Sequence, residues 1–166
     1  MSAINLSVYD RFLGGLSVLL DKAEAHCTAR NIKPEAILQF RLFPDMFPFV
    51  KQVQLACDFA ARGAARLAGH EPKAFPDTET SFAELKARVQ AARDYIHSFP
   101  ASAFEEADDR LVTLKLRGTD MTMKGSEFYC VYSLPQFYFH LTTAYNILRH
   151  NGIEIGKMDF MAASRA

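Results

Sequence analysis

From Phe128 to Leu148 the sequence contains no Lys, Arg, Asp or Glu. An uncharged run of this length approaches the ~20 apolar residues that cross a bilayer, so it is either a membrane span or a helix enclosed in protein. Its polar content separates the two. Ser133, Gln136, His140, Thr142, Thr143 and Asn146 lie within it, together with Pro135. Each polar side chain is costly in hydrocarbon, whereas a packed bundle can satisfy it internally. The run predicts the central helix of a soluble helical domain and no membrane span.

The rest of the chain is consistent with that reading. Its 166 residues suit a single domain over 1–166, and 49% of them are apolar, enough for a core without disulfides or a structural metal. Lys plus Arg balance Asp plus Glu at 19 each, so no net field gathers phosphates, and nucleic-acid binding is disfavoured. Cys27, Cys57 and Cys130 are an odd number without a CxxC pair, which points to a reducing cytoplasm. Asp10, Arg11 and Asp21 interrupt any signal-peptide core.

Apolar spacing predicts four long helices. The first runs from about Ser7 to Arg30, with Val8, Phe12, Leu16, Leu19, Leu20 and Ala23 on one face. A Pro-containing connection follows, with a short helical turn after Pro34. The second helix is expected to be capped by Asp45, to carry Pro48 in its first turn and to stop at Gly69. Its middle, "LACDFAARGAARLAG", is small enough to admit a neighbouring backbone. The third starts at a Ser81–Glu84 capping box and buries Phe82, Leu85, Val89, Ala92 and Ile96 before Pro100 closes it. Between Asp109 and Gly125 the period changes to two: Val112, Leu114 and Leu116 alternate with polar residues, "RGTD" turns, and Met121 and Met123 alternate again, a small β-hairpin. The fourth helix begins near Ser133 and ends at Gly152, with Leu134, Tyr138, Leu141, Tyr145 and Leu148 as its main stripe. The fold class is all-α, a four-helix bundle with a hairpin before the last helix.

Most chemistry-bearing residues have a structural explanation. Asp58 precedes Arg62 by four, the spacing of a surface ion pair. Asp77 and Glu79 precede the third helix, where negative charge suits the helix dipole. His26, His70, His97 and His150 lie near helix ends, and Cys57 and Cys130 have no adjacent base. Phe43, Met46, Phe47 and Phe49 cluster around Pro44 and Pro48, as a pocket mouth, a subunit contact or a loop folded onto the core. His140 differs, because it shares a helix face with Gln136 and Thr143 in the middle of the uncharged run. Gln52 shares a face with Ala56 and Phe59 and can also point inward.

Three stretches together carry a resemblance: "RLFPDMFPFVKQVQLACDFAARGAARLAG", "FPDTETSFAEL" and "LPQFYFHLTTAYNILRHNGIEIGKMDF". They resemble a domain-of-unknown-function family within the DinB/YfiT-like superfamily of candidate metalloenzymes. The resemblance covers nearly the whole chain. It implies a DinB-like four-helix bundle, a homodimer, and a site between helices. Relatives in the wider group include thiol-dependent transferases and isomerases that hold a divalent metal, such as zinc or nickel, through three histidines. The typical DinB pattern of that wider group places one histidine on the second helix and an H-x-x-x-H pair on the last, followed by Leu-Arg and Gly. Here the second histidine of the pair matches His140, the first falls on Gln136, and Gln52 occupies the nearest helix-two position.

An i, i+4 histidine pair makes chemical sense because both rings share one helix face and can converge on an ion. Amide carbonyls are weak ligands for zinc or nickel. The replacement of two histidines by glutamines therefore points to a degenerate metal site. The expected site is a polar inter-helix pocket for a small molecule, lined by Gln52, Gln136, His140 and the Tyr145 hydroxyl. A metal-dependent transferase or isomerase with His140 as metal ligand or base, and a non-catalytic interaction bundle, are the alternatives.

Overall fold

The computed structural model describes residues 4–116 and 118–162. Four long helices carry the fold: α1 (Ser7–Arg30), α3 (Phe49–Leu67), α4 (Phe82–His97) and α6 (Leu134–His150). Three short ones punctuate it: α2 (Pro34–Leu38), α5 (Gly125–Glu127) and α7 (Lys157–Phe160). Helix α3 packs against both α6 and α4, and α4 packs against α1, so α3 is the hub of the bundle. Among the described residues no helix is long and apolar enough to cross a membrane.

Local chemistry explains most of the boundaries. The Ser81 side chain accepts from the Glu84 N–H at 3.2 Å, and Glu84 accepts from the Ser81 N–H at 3.1 Å, forming the expected capping box of α4. Helix α3 ends where Gly69 takes φ +80°, which lets the His70 N–H reach the Ala65 carbonyl at 2.9 Å. The same device closes α6 at Gly152, where the Ile153 N–H bonds the Leu148 carbonyl at 3.1 Å.

The start of α3 differs from expectation. Asp45 does not cap it; Pro48, extended at φ −69° and ψ 165°, precedes Phe49, the first helical residue. The two-proline segment leaves Asp45 in the preceding loop, because proline disfavours helical geometry in the residue before it.

The hairpin pairs β1 (Leu111–Leu116) with β2 (Thr119–Lys124) antiparallel, with Val112 opposite Met123 and Leu114 opposite Met121. Val112 and Leu114 are buried and Met121 is exposed. Arg117, in the expected "RGTD" turn, lies outside the described residues. The chain then enters α6 through a π-helical turn, Phe128–Ser133, which the sequence pattern did not signal. The buried face of α6 is Phe137, His140, Leu141, Thr143, Ala144, Ile147 and Leu148. Leu134, Tyr138 and Tyr145, expected on the main stripe, are only half-buried. Their side of α6 faces α1 and α7, which cover it incompletely: Tyr138 packs on Phe12 and Tyr145 on Phe160.

Candidate functional site

The buried faces of α3 and α6 are largely apolar, and Gln52 and His140 are among the exceptions. The Gln52 Oε1 and His140 Nδ1 atoms stand 2.8 Å apart, joining two helices 88 residues apart in sequence. The amide orientation of Gln52 is set by its other end, since Nε2 donates to the Phe47 carbonyl at 3.2 Å. With Oε1 turned toward the imidazole, Nδ1 must carry the proton, and Nε2 of His140 keeps its lone pair. Both residues are enclosed: Gln52 is 1% exposed and His140 7%.

Aromatic rings fix the imidazole in place. Phe59 stacks almost parallel to it, with an interplanar angle of 9° and centroids 5.4 Å apart, while Phe139 meets it edge-on at 5.2 Å. Burial in this setting, with the Lys51 charge nearby, pushes the imidazole pKa down to about 4. The ring is therefore neutral at pH 7, a poor proton acceptor but a competent hydrogen-bond acceptor through Nε2. Phe43 and Phe47 of the aromatic cluster and Phe139 of α6 are exposed, whereas Phe49 is wholly buried, so the cluster divides between core and surface.

The other expected site residues are placed differently. Gln136 is half-buried, one turn before His140 on the same face of α6. Tyr145 stands five residues beyond His140, roughly 140° around the helix, and its ring meets Phe160 edge-on at 5.7 Å. The structure thus brings Gln52 and His140 together, keeps Gln136 within a turn of them, and directs Tyr145 toward α7.

A buried polar cluster behind the loop before α4 was not anticipated. Arg88, with its side chain 2% exposed, donates to Asp58 Oδ1 at 2.5 Å, to Glu79 Oε1 at 3.0 Å and to the Pro76 carbonyl at 3.0 Å. Gln54 donates to the second Glu79 oxygen at 2.7 Å. Asp58 does pair with Arg62, at 2.7 Å, but Asp58 is buried and the pair is not confined to the surface. Asp77 and Glu79 serve as Arg88 partners that tie the loop to α3 and α4. The available signal was Arg88 itself, a charge three residues after Leu85 and four before Ala92, inside the apolar stripe. The buried Cys57 beside this cluster has its thiol pushed up to about 12 by burial, so it is inert as a nucleophile at neutral pH.

Comparison with known proteins resolves the ancestry. A family model described as a domain of unknown function, DUF1993, matches residues 1–161. The chain belongs to the DUF1993 family. A crystal structure of a DinB family member from Shewanella denitrificans is 35% identical, covers 98% of this chain and 92% of its own, and superimposes with a TM-score of 0.90. No curated protein matches the chain.

The DinB-like fold raises the question of a metal, and the donors at this level of the DUF1993 bundle do not fit one. Three imidazoles would have to converge, yet the site holds one. Its Nδ1–H is held by Gln52 and leaves Nε2 free, as in many metal-ligating histidines, but the companion positions Gln52 and Gln136 offer only amide oxygens, weak ligands for zinc or nickel. Among the described residues no group of three His, Cys, Asp or Glu side chains converges elsewhere either.

Proposed function

We propose that this DUF1993 member is a small-molecule-binding bundle in which the position that holds a metal in the wider DinB group has become a metal-free recognition element. The supporting observation is the Gln52–His140 bond at 2.8 Å, which locks the imidazole in its Nδ1–H tautomer and leaves Nε2 as an acceptor. The ligand is a compact molecule offering a neutral O–H or N–H group to Nε2. Gln136 supplies a second polar contact one turn away, and Phe59 and Phe139 supply apolar walls. The low pKa of His140 favours recognition over general-base chemistry, because a base works best with a pKa near the operating pH.

The test is a thermal-shift screen of phenols, alcohols and amides against the wild type and His140→Asn. The Asn amide can still donate to Gln52 but presents nothing at the Nε2 position. Compounds that stabilise the wild type and not the variant support the reading. Stabilisation that survives the substitution, or none at all, contradicts it. The exposed Phe43, Phe47 and Phe139 also favour a second copy of the chain as the partner covering the rim. Light scattering on Phe47→Ser and Phe139→Ser measures that directly: a dimer that dissociates supports it, and an unchanged mass contradicts it.

A further inference from the structure

Phe59, whose ring stacks on His140, also lines a cavity of about 210 Å³ between the C-terminal half of α3, strand β1 and the π-helical turn. Arg62, Arg66, Lys115, Tyr132 and Ser133 border it as well, so its polar lining is dominated by cations. These cations are not equivalent. The charge of Arg62 is met by Asp58 at 2.7 Å. Lys115 is exposed on β1, opposite Asp120 in the strand register. The Arg66 guanidinium is half-buried, and among the described residues it has neither an ion pair nor a hydrogen-bond acceptor. Burial, and then the neighbouring Arg62 charge, disfavour its cationic form, with only partial relief from Tyr132 and Glu71. An arginine does not deprotonate in response; it gains most from an anion brought in from solution.

The opposite wall is built with care for position. The π-helical turn re-aims Tyr132 and Ser133 toward α3, and such turns are frequent at functional sites. Ser133 is held by the Tyr9 hydroxyl, which donates to its Oγ at 2.8 Å, and it donates in turn to the Phe59 carbonyl at 3.4 Å. Gly63 makes this approach possible, because a Cβ there would collide with Ser133 Oγ and lie 2.8 Å from the Tyr9 oxygen. Phe59 and Tyr132 then meet edge-on as ring partners, 6.2 Å between centroids.

We propose that this cavity binds a small organic anion, with a carboxylate on Arg66 and Lys115 and an apolar body against Phe59 and Tyr132. The volume is below the ~300–1,000 Å³ of drug-sized sites, which limits the occupant to roughly a single-ring acid or a short-chain one. The site is separate from the Gln52–His140 pair and shares only Phe59 with it.

Titration calorimetry on the full chain tests this with benzoate as the probe, and benzamide and inorganic phosphate as comparators. Benzoate is expected to bind saturably, with both comparators at least ~10-fold weaker, since one lacks the charge and the other the apolar body. Arg66→Gln is expected to weaken benzoate about 10- to 100-fold, the loss of a charged hydrogen-bond pair. Lys115→Gln, on an exposed strand position where folding is not at risk, is expected to weaken it by a smaller factor. His140→Asn should bind benzoate like the wild type, which separates this site from the recognition element proposed above. The proposal is overturned if benzoate fails to bind, if benzamide or phosphate matches it, if both cation variants bind normally, or if His140→Asn abolishes binding.

Discussion

Gln52 bridges two elements at once: its Oε1 accepts from His140 Nδ1 on α6 at 2.8 Å, and its Nε2 donates to the Phe47 carbonyl at 3.2 Å. One amide therefore sets the tautomer of the buried imidazole and pins the loop that leads into α3. Replacing Gln52 with Glu would keep the acceptor but remove the donor and bury a charge. Gln52→Leu would leave Nδ1–H unpaired. Both are expected to destabilise the fold, Gln52→Leu by ~1–3 kcal/mol, as measured by urea denaturation. An unchanged midpoint for Gln52→Leu would show that the bond contributes nothing.

The depressed pKa of His140 has a pH consequence. The folded imidazole titrates at about 4, below the ordinary value of 6.5, so the unfolded chain takes up the proton first. This contribution to stability is complete above pH ~6.5 and is lost progressively as pH falls toward about 4. Subtracting the stability profile of His140→Asn from that of the wild type isolates it from the carboxylates. The difference should slope between those pH values and level off outside them; a flat difference would contradict the buried, neutral ring.

Leu141 follows His140 and is fully buried between the helices. Leu141→Ala removes core volume that the bundle cannot refill and is expected to cost ~2–5 kcal/mol. Chemical denaturation checks this, and a cost below 1 kcal/mol would place α6 differently.

The Arg88 cluster predicts asymmetric behaviour. Arg88→Ala leaves the Glu79 side chain without its Arg88 partner and Asp58 with Arg62 alone, and is expected to destabilise by ~3–5 kcal/mol. Replacing Asp58, Glu79 and Arg88 together by apolar residues should recover most of that loss, because the desolvation cost disappears with the charges. A triple variant no better than Arg88→Ala would mean that the network contributes more than its members' pairing.

The long helices, the α4 cap, the glycine stops and the hairpin were legible because each rests on a local rule: Ser81 and Glu84 three apart, Gly69 and Gly152 at positive φ, period-two alternation at Val112 and Leu114; the Asp45 cap was not, because Pro48 takes that place. The Gln52–His140 pairing was only half legible. Both residues could be placed on inward faces and matched to the family pattern, but a contact across 88 residues depends on how α3 and α6 rotate against each other. The chain enters α6 through the π-helical turn Phe128–Ser133, which has no periodic signature. The Arg88 cluster was missed because a charged residue in a stripe looks like an interruption until its partners on α3 and in the 69–81 loop arrive.

On the proposed function, His140 works as a neutral, Nδ1-protonated acceptor held by Gln52, without a metal. Long-range ¹H–¹⁵N NMR of the histidine side chains at neutral pH, before and after equimolar zinc or nickel, tests it most directly. His140 should show a protonated Nδ1 and an unprotonated Nε2, with neither signal moved by the metal. A metal-dependent shift or loss of the Nε2 signal, or an Nε2–H tautomer, would contradict it.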